Sequence, residues 1–165
     1  MSWEEDLEEL KKRAELAKEM GGIERIAKHY ARGRLTVRER IDKLLDENSF
    51  HETGELTGKV TYDEDGEIKE FVPANFVFGR GKVEGREIVV AGDDFTVRGG
   101  AADARIGNKS LYSLKLAEYH RLPLVNLVDG SGGGGSVKTL ETMGATYVPG
   151  LPSWQNIVRL LSMVP

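Results

Sequence analysis

The sequence predicts an α/β fold, and three observations predict it. From residue 56 the apolar positions alternate with the period of strands, whereas the first 50 residues carry helical spacing. Two glycine-rich loops each follow a strand-like run and each lead into a segment with helical character. The middle of the chain therefore reads strand, strand, glycine loop, helix, strand, glycine loop, helix. This is a ββα unit followed by a βα unit, with both loops at strand ends, where α/β folds place their ligand sites. Two parts are expected, a helical segment over residues 1–50 and an α/β part over residues 51–165.

In Ser2-Trp3-Glu4-Glu5 a hydroxyl precedes a glutamate by three residues, a capping box. Leu7, Leu10 and Leu16 among charges then predict an exposed amphipathic helix to about Met20, stopped by Gly21-Gly22. A second helix is expected over Ile23 to Ala31. A second capping box, Thr36 to Glu39, opens a short helix with Ile41, Leu44 and Leu45 on one face, ended by Asp46-Glu47-Asn48-Ser49. Arg32, Arg34, Arg38 and Arg40 cluster here. With Glu39 and Asp42 near, they read as a solvated or interface face rather than a phosphate site.

Leu56 to Tyr62 and Ile68 to Val72 predict strands around the turn Asp63-Glu64-Asp65-Gly66, and Pro73-Ala74-Asn75 breaks the run. Phe76 to Val83 and Glu87 to Ala91 read as strands paired across Glu84-Gly85-Arg86. The small, glycine-rich stretch Gly92 to Asp103 follows. A helix over about Asp103 to His120 is expected to turn Ile106, Leu111, Leu114 and Ala117 to the core and to leave Lys109 and Lys115 to solvent or ligand.

The most informative stretch is Val125 to Thr142. Leu124 to Val128 is an apolar, partly β-branched run of strand length that ends at Asp129-Gly130, and it predicts a buried strand. Gly132, Gly133, Gly134 and Gly135 carry no Cβ, so a ligand can approach their N–H groups directly. From Ser136, a plausible cap, Val137 and Leu140 suggest a helix. A strand that runs through such a loop into a helix N-terminus aims free N–H groups and the positive end of a dipole at one point, a site for an anion or a developing oxyanion. GSGGGGS is also the composition of a flexible linker, but a linker separates polar ends and this one joins a strand to a capped helix. A P-loop is excluded, because no Gly-Lys-Ser or Gly-Lys-Thr follows. A glycine run fits a dinucleotide-binding fingerprint only because it fits almost any glycine motif.

The 165 residues suffice for one domain with a real core. A net charge of −4 without a Lys/Arg run gives nucleic acid no support as a partner. No apolar stretch has transmembrane length and the N-terminus is acidic where a signal peptide is basic, so no membrane is expected. Zero cysteines exclude disulfides, thiolate metal sites and a cysteine nucleophile, and fit a cytoplasmic location. His29, His51 and His120 lack metal spacing and are expected to be structural or on the surface. Pro152 begins a last helix with Ile157, Val158, Leu160 and Leu161 and no strand after it, which suggests a fragment or a part that needs a partner.

His29 to Leu45 (HYARGRLTVRERIDKLL) with Asp46 to Phe50, then Gly79 to Gly85 (GRGKVEG), Val90 to Gly100 (VAGDDFTVRGG) and the strand and glycine loop Leu124 to Gly135 occur in the order of one family. Over about Ile23 to Gly150 the chain resembles the biotin-dependent acyl-CoA carboxyltransferases, the β subunits of propionyl-CoA and related acyl-CoA carboxylases. The resemblance implies the N-terminal half of a crotonase-like superhelix of ββα units, preceded by the helical segment. It implies transfer of carboxyl from carboxybiotin, carried on a separate carrier protein of a biotin carboxylase system, to the α-carbon of an acyl-CoA. By position, the oxyanion-forming loop falls on Ser131 to Gly134, with the N–H groups of Gly133 and Gly134 as donors. Gly132 and the stretch Arg98, Gly99, Gly100, Ala101 and Ala102 fall where the family lines its coenzyme A. No side-chain base is implied, because carboxybiotin decomposition supplies one in this family.

Two departures bear on this. Many members read Ser-Gly-Gly-Ala-Arg-Ile-Gln-Glu-Gly where this chain has Ser131 to Thr139, so an arginine and a glutamine are replaced and the acyl group stays open. Family members are also much longer, with a C-terminal half that supplies the biotin pocket and a second oxyanion hole, and their site forms between subunits of a homo-oligomer. This chain alone is therefore expected to be inactive. Two alternatives stand beside the carboxyltransferase: a non-catalytic CoA-binding or assembly module, and a crotonase-fold acyl-CoA decarboxylase.

Overall fold

A computed structural model describes residues 3–100, 108–129, 140, 141 and 144. The Ser2 cap, the first part of the helix expected from Asp103, the loop from Gly130 to Ser136 and the helix expected from Pro152 lie outside the described residues.

The elements are α1 (Trp3–Lys18), α2 (Ile23–Tyr30), α3 (Val37–Leu44), β1 (His51–Glu52), β2 (Gly58–Tyr62), β3 (Ile68–Pro73), β4 (Phe76–Val83), β5 (Arg86–Asp93), a 3₁₀ turn (Arg98–Gly100), α4 (Lys109–His120) and β6 (Leu124–Leu127). All but β1 follow the expected order within a few residues. Leu140 and Glu141 are helical, as expected for the segment after Ser136.

Four strands form one sheet in the order β1-β4-β5-β6, and β2 and β3 form a separate hairpin. Strands β4 and β5 pair antiparallel from Phe76 opposite Asp93 to Val83 opposite Arg86. Strand β6 joins β5 in parallel, with Val89 opposite Leu124 and Gly92 opposite Leu127. That crossover is made by the 3₁₀ turn and α4, so both parallel strands end on the same edge of the sheet.

The pleat sorts the side chains of β4 and β5 onto two faces. Val77, Ile88 and Val90 face α3 and form one core with Val37, Ile41 and Leu45. Phe76, Phe78 and Ala91 face the other way and pack with Leu116 and Leu124. Because β5 is covered on both faces, Ile88-Val89-Val90-Ala91 is apolar without alternation. The run Leu124 to Leu127 was expected to be buried as well. It is only half-buried, because β6 is the edge strand of the described sheet and Val128 beyond it is exposed.

Helix α3 begins as its sequence requires. Thr36 accepts from the Glu39 N–H at 3.3 Å, and the Glu39 carboxylate accepts from the Thr36 N–H at 2.8 Å, which closes the capping box. Helix α1 packs on β3, and Tyr62 of β2 donates to Glu9 at 3.0 Å and meets Arg13. No helix among the described residues is long and apolar enough to cross a membrane.

Ile41 is fully buried at the centre of the α3 core. Ile41→Ala is expected to lower the unfolding free energy by about 2–5 kcal/mol, the usual range for such a truncation. Urea titration followed by circular dichroism checks this, and a loss under about 1 kcal/mol would show that the α3 face is not the principal core.

Candidate functional site

The parallel pair β5–β6 sets the location. The chain leaves β5 at Asp93 and passes through Asp94 to Gly100, and it leaves β6 towards Asp129 and Gly130. Both segments emerge at the carboxyl ends of neighbouring parallel strands, the place where open α/β sheets bind ligands.

The first loop is tightly built. Asp94 is 2% exposed, and its Oδ1 accepts from the Thr96 N–H at 2.9 Å and from the Thr96 hydroxyl. The Asp94 N–H donates to the Asn75 carbonyl at 3.0 Å, which ties the loop to the residues before β4. Thr96 Oγ1 in turn accepts from the Gly21 N–H at 2.9 Å. Only glycine permits that approach, since a Cβ at residue 21 would lie 2.1 Å from the Thr96 carbonyl oxygen. The α1–α2 turn thus braces the loop from outside. Arg98, Gly99 and Gly100 then take three successive positive φ values, 51°, 62° and 66°. Two of the three carry no Cβ and adopt this conformation without strain. Beside the loop, a cleft of about 520 Å³ is lined by Gly22, Ile23, Arg25, Phe71 and Val97. A second groove of about 520 Å³ runs along α4, between Tyr112, Leu116, Tyr119 and Phe78.

Near Asp129, at the end of β6, His29 is buried. With its proton on Nε2 the ring donates to the Leu35 carbonyl at 3.1 Å, and Asp129 Oδ2 stands 4.0 Å from the same nitrogen. His29 therefore joins the connection between α2 and α3 to the residue just before the glycine loop, consistent with the structural role expected of it. His51 and His120 are exposed.

Arg98, Gly99 and Gly100 lie together at the end of β5. Ala101, Ala102, Gly132, Gly133 and Gly134 lie outside the described residues. Two expectations for side chains need correction. Lys109 is not available to solvent: it is 6% exposed, with Nζ 3.6 Å from Glu52 Oε1 and 5.9 Å from the centre of the Phe78 ring. Burial pushes its pKa down, against the pull of Glu52. Arg38 does not pair with Glu39 or Asp42, but reaches Glu52 at 2.7 Å. The structure places Lys109 in the first turn of α4, where a lysine opposes the helix dipole and needs a partner that compensates. Nothing in the sequence named Glu52 as that partner, 57 residues earlier by its number.

Burial raises the Asp94 pKa above the ordinary value of 3.8, although the Thr96 hydrogen bonds and the proximity of Arg38 and His29 pull it down. A carboxyl whose pKa is raised by folding disfavours the fold once ionised. That cost is complete above the folded-state pKa and disappears as pH falls below the unfolded value. Asp94→Asn keeps an oxygen for Thr96 and removes the ionisation. It is expected to exceed the wild type in stability at neutral pH and to lose that advantage below about pH 4. Urea titrations across this range check it, and a difference independent of pH would exclude the ionised form of Asp94 as its source.

Residues 28–150 match the family described as the carboxyl transferase domain. The chain is 34% identical over 149 residues to the probable biotin-dependent acyl-coenzyme A carboxylase beta2 subunit of Mycobacterium tuberculosis, which covers 89% of this chain and 26% of that relative. It is 33% identical over 129 residues to methylmalonyl-CoA decarboxylase subunit alpha of Veillonella parvula, covering 78% of this chain and 25% of the relative. Among solved structures, a transcarboxylase 12S hexamer with methylmalonyl-coenzyme A bound matches with a TM-score of 0.63 and 32% identity, over 76% of this chain and 25% of that one. A single-chain, multi-domain long-chain acyl-CoA carboxylase matches with a TM-score of 0.66 and 28% identity, over 94% and 16%. The chain spans about a quarter of the length of these curated relatives. Its fold is the crotonase-like α/β fold of these structures. With its matched region covering most of its length, the chain belongs to the carboxyl transferase domain family.

Proposed function

We propose that this chain forms the acyl-CoA-binding part of a biotin-dependent carboxyltransferase, which moves carboxyl from carboxybiotin to the α-carbon of an acyl-CoA. The observation that carries the reading is the parallel β5–β6 pair, whose carboxyl ends lead into the Asp94–Gly100 loop and, past Asp129, towards the glycine run. Residues 1–50 serve as a helical lead-in whose third helix closes the core, and residues 51–165 as the crotonase-like part.

Arg98 brings positive charge, and Gly99 and Gly100 beside it carry no Cβ, so a ligand can approach the backbone there closely. That suits the phosphates of coenzyme A, with Ala101, Ala102 and Gly132 continuing the lining. Carboxybiotin, on its separate carrier, supplies the carboxyl group and the base. No residue of the matched region is assigned to biotin. This chain's own part is to hold the thioester and to accept the charge that develops on its oxygen when the α-proton leaves. The N–H groups of Gly133 and Gly134 take that role. Donors already aimed at the oxygen need no reorganisation in the transition state, and one such donor is typically worth roughly 3 to 4 kcal/mol. The partners in this reading are an acyl-CoA, a biotin carboxyl carrier with its carboxylase, and further copies of the same chain.

A second reading is favoured by one observation. A relative 33% identical to this chain is a methylmalonyl-CoA decarboxylase subunit. The same enolate-stabilising loop serves that reaction, in which carboxyl leaves the acyl-CoA.

Transfer of labelled carboxyl from a carboxylated biotin carrier to propionyl-CoA, measured in the assembled enzyme, tests the first reading. Loss of label from methylmalonyl-CoA instead supports the second. Gly134→Val is expected to reduce turnover at least about 100-fold while circular dichroism is unchanged. A rate near that of wild type would overturn the oxyanion assignment.

A further inference from the structure

Three candidates stand outside the site as described. The groove along α4 has nothing in the structure to indicate what covers it. The polar hollow around Asp46, Ser49 and Lys82 is explained by turn capping, since the Asp46 carboxylate accepts from the Glu84 and Gly85 N–H groups at 2.9 and 2.8 Å. The third is the buried charge cluster on Glu52, and it carries an inference.

Glu52 belongs to a strand of two residues, held to β4 by the pairing of Glu52 with Gly79. Its side chain is 8% exposed and has two cations on it, Arg38 of α3 at 2.7 Å and Lys109 of α4 at 3.6 Å. Arg38 in turn lies close enough to Asp94 for its charge to act on that carboxyl. The cluster therefore reaches both described ends of the stretch between β5 and α4: Lys109 is the first residue of the helix, and Val37, next to Arg38 on α3, packs so closely on Gly92 that a Cβ there would lie 2.6 Å from its Cγ2, two residues before Asp94.

Stability alone does not account for this arrangement. Desolvation of buried ions commonly consumes what their attraction returns, and apolar replacements are often as stable. A lysine at a helix N-terminus is further disfavoured by the dipole. What the cluster provides is geometry, because a carboxylate shared by two cations on different helices leaves one relative placement for both.

We propose that Glu52 is a positioning residue for the acyl-CoA surface: its carboxylate joins Arg38 to Lys109 and so sets the start of α4 against the Asp94–Gly100 loop. This rests on the reading of that loop as a coenzyme A contact. Glu52 itself touches no ligand in this proposal.

Hydrogen exchange on the ligand-free chain, with coenzyme A titration as a second arm, tests it. In Glu52→Gln, the amides of residues 96–100 and of Leu111 and Tyr112 are expected to exchange about tenfold faster, with α1 and the β2–β3 hairpin unchanged. Lys109→Met, which keeps the Arg38–Glu52 pair, is expected to loosen the same amides, and Lys109→Arg to restore them. Coenzyme A affinity is expected to fall about tenfold in both loosened variants and to return in Lys109→Arg. Unchanged exchange in the loop and at the start of α4 overturns the proposal, and so does uniform acceleration throughout the chain. If Glu52→Gln does not fold, Lys109→Met decides by the same criteria. Failure of the wild type to bind coenzyme A overturns the ligand reading of the loop, and the exchange pattern then judges the positioning role independently.

Discussion

The burial of β5 on both faces governs how everything else is arranged. Val89, Val90 and Ala91 are at most 1% exposed, so the strand must be covered by a layer on each side. Helix α3 supplies one layer through Val37 and Ile41, and α4 supplies the other through Leu116. Fully burying an aliphatic side chain contributes about 1.5–3 kcal/mol, and β5 with its neighbours on α3 contributes several such groups. The same strand is antiparallel to β4 and parallel to β6. It is therefore both the centre of the core and the strand from whose end the Asp94–Gly100 loop leaves.

A consequence is that the N-terminal helices are not an appendage to the sheet. Helix α3 lies in the same core as β4 and β5, and the turn between α1 and α2 holds the Asp94–Gly100 loop through the Gly21–Thr96 hydrogen bond. His29 performs a similar service beneath Asp129. The Asp94–Gly100 loop and the end of β6 at Asp129 are thus met by groups that come from residues 21–29. This agrees with the family match, which begins at residue 28 and so takes in α3 together with the sheet.

The electrostatics divide in the same way. Charges on α1 and the hairpin, such as Lys12 with Glu67 at 3.2 Å, are exposed and contribute little. Those on Glu52, Arg38, Lys109 and Asp94 are buried or nearly so, and their energies depend on the burial that surrounds them. The burial that raises the Asp94 pKa also depresses that of Lys109, because low polarity disfavours either charged form.

Residue order alone was enough for the class of fold, most element boundaries, the Thr36–Glu39 cap and the glycine-containing loop that follows β5. These depend on periodicity and on neighbours three or four residues apart, which are local properties of a chain. It did not reveal that β1 exists, that β6 is only half-buried, or that Lys109 and Arg38 share Glu52. A two-residue strand has no period to detect, an edge strand differs from a central one only by what lies beside it, and the ion cluster gathers residues 38, 52 and 109. Such pairings depend on how the layers close around β5, and sequence separation carries no information about that closure.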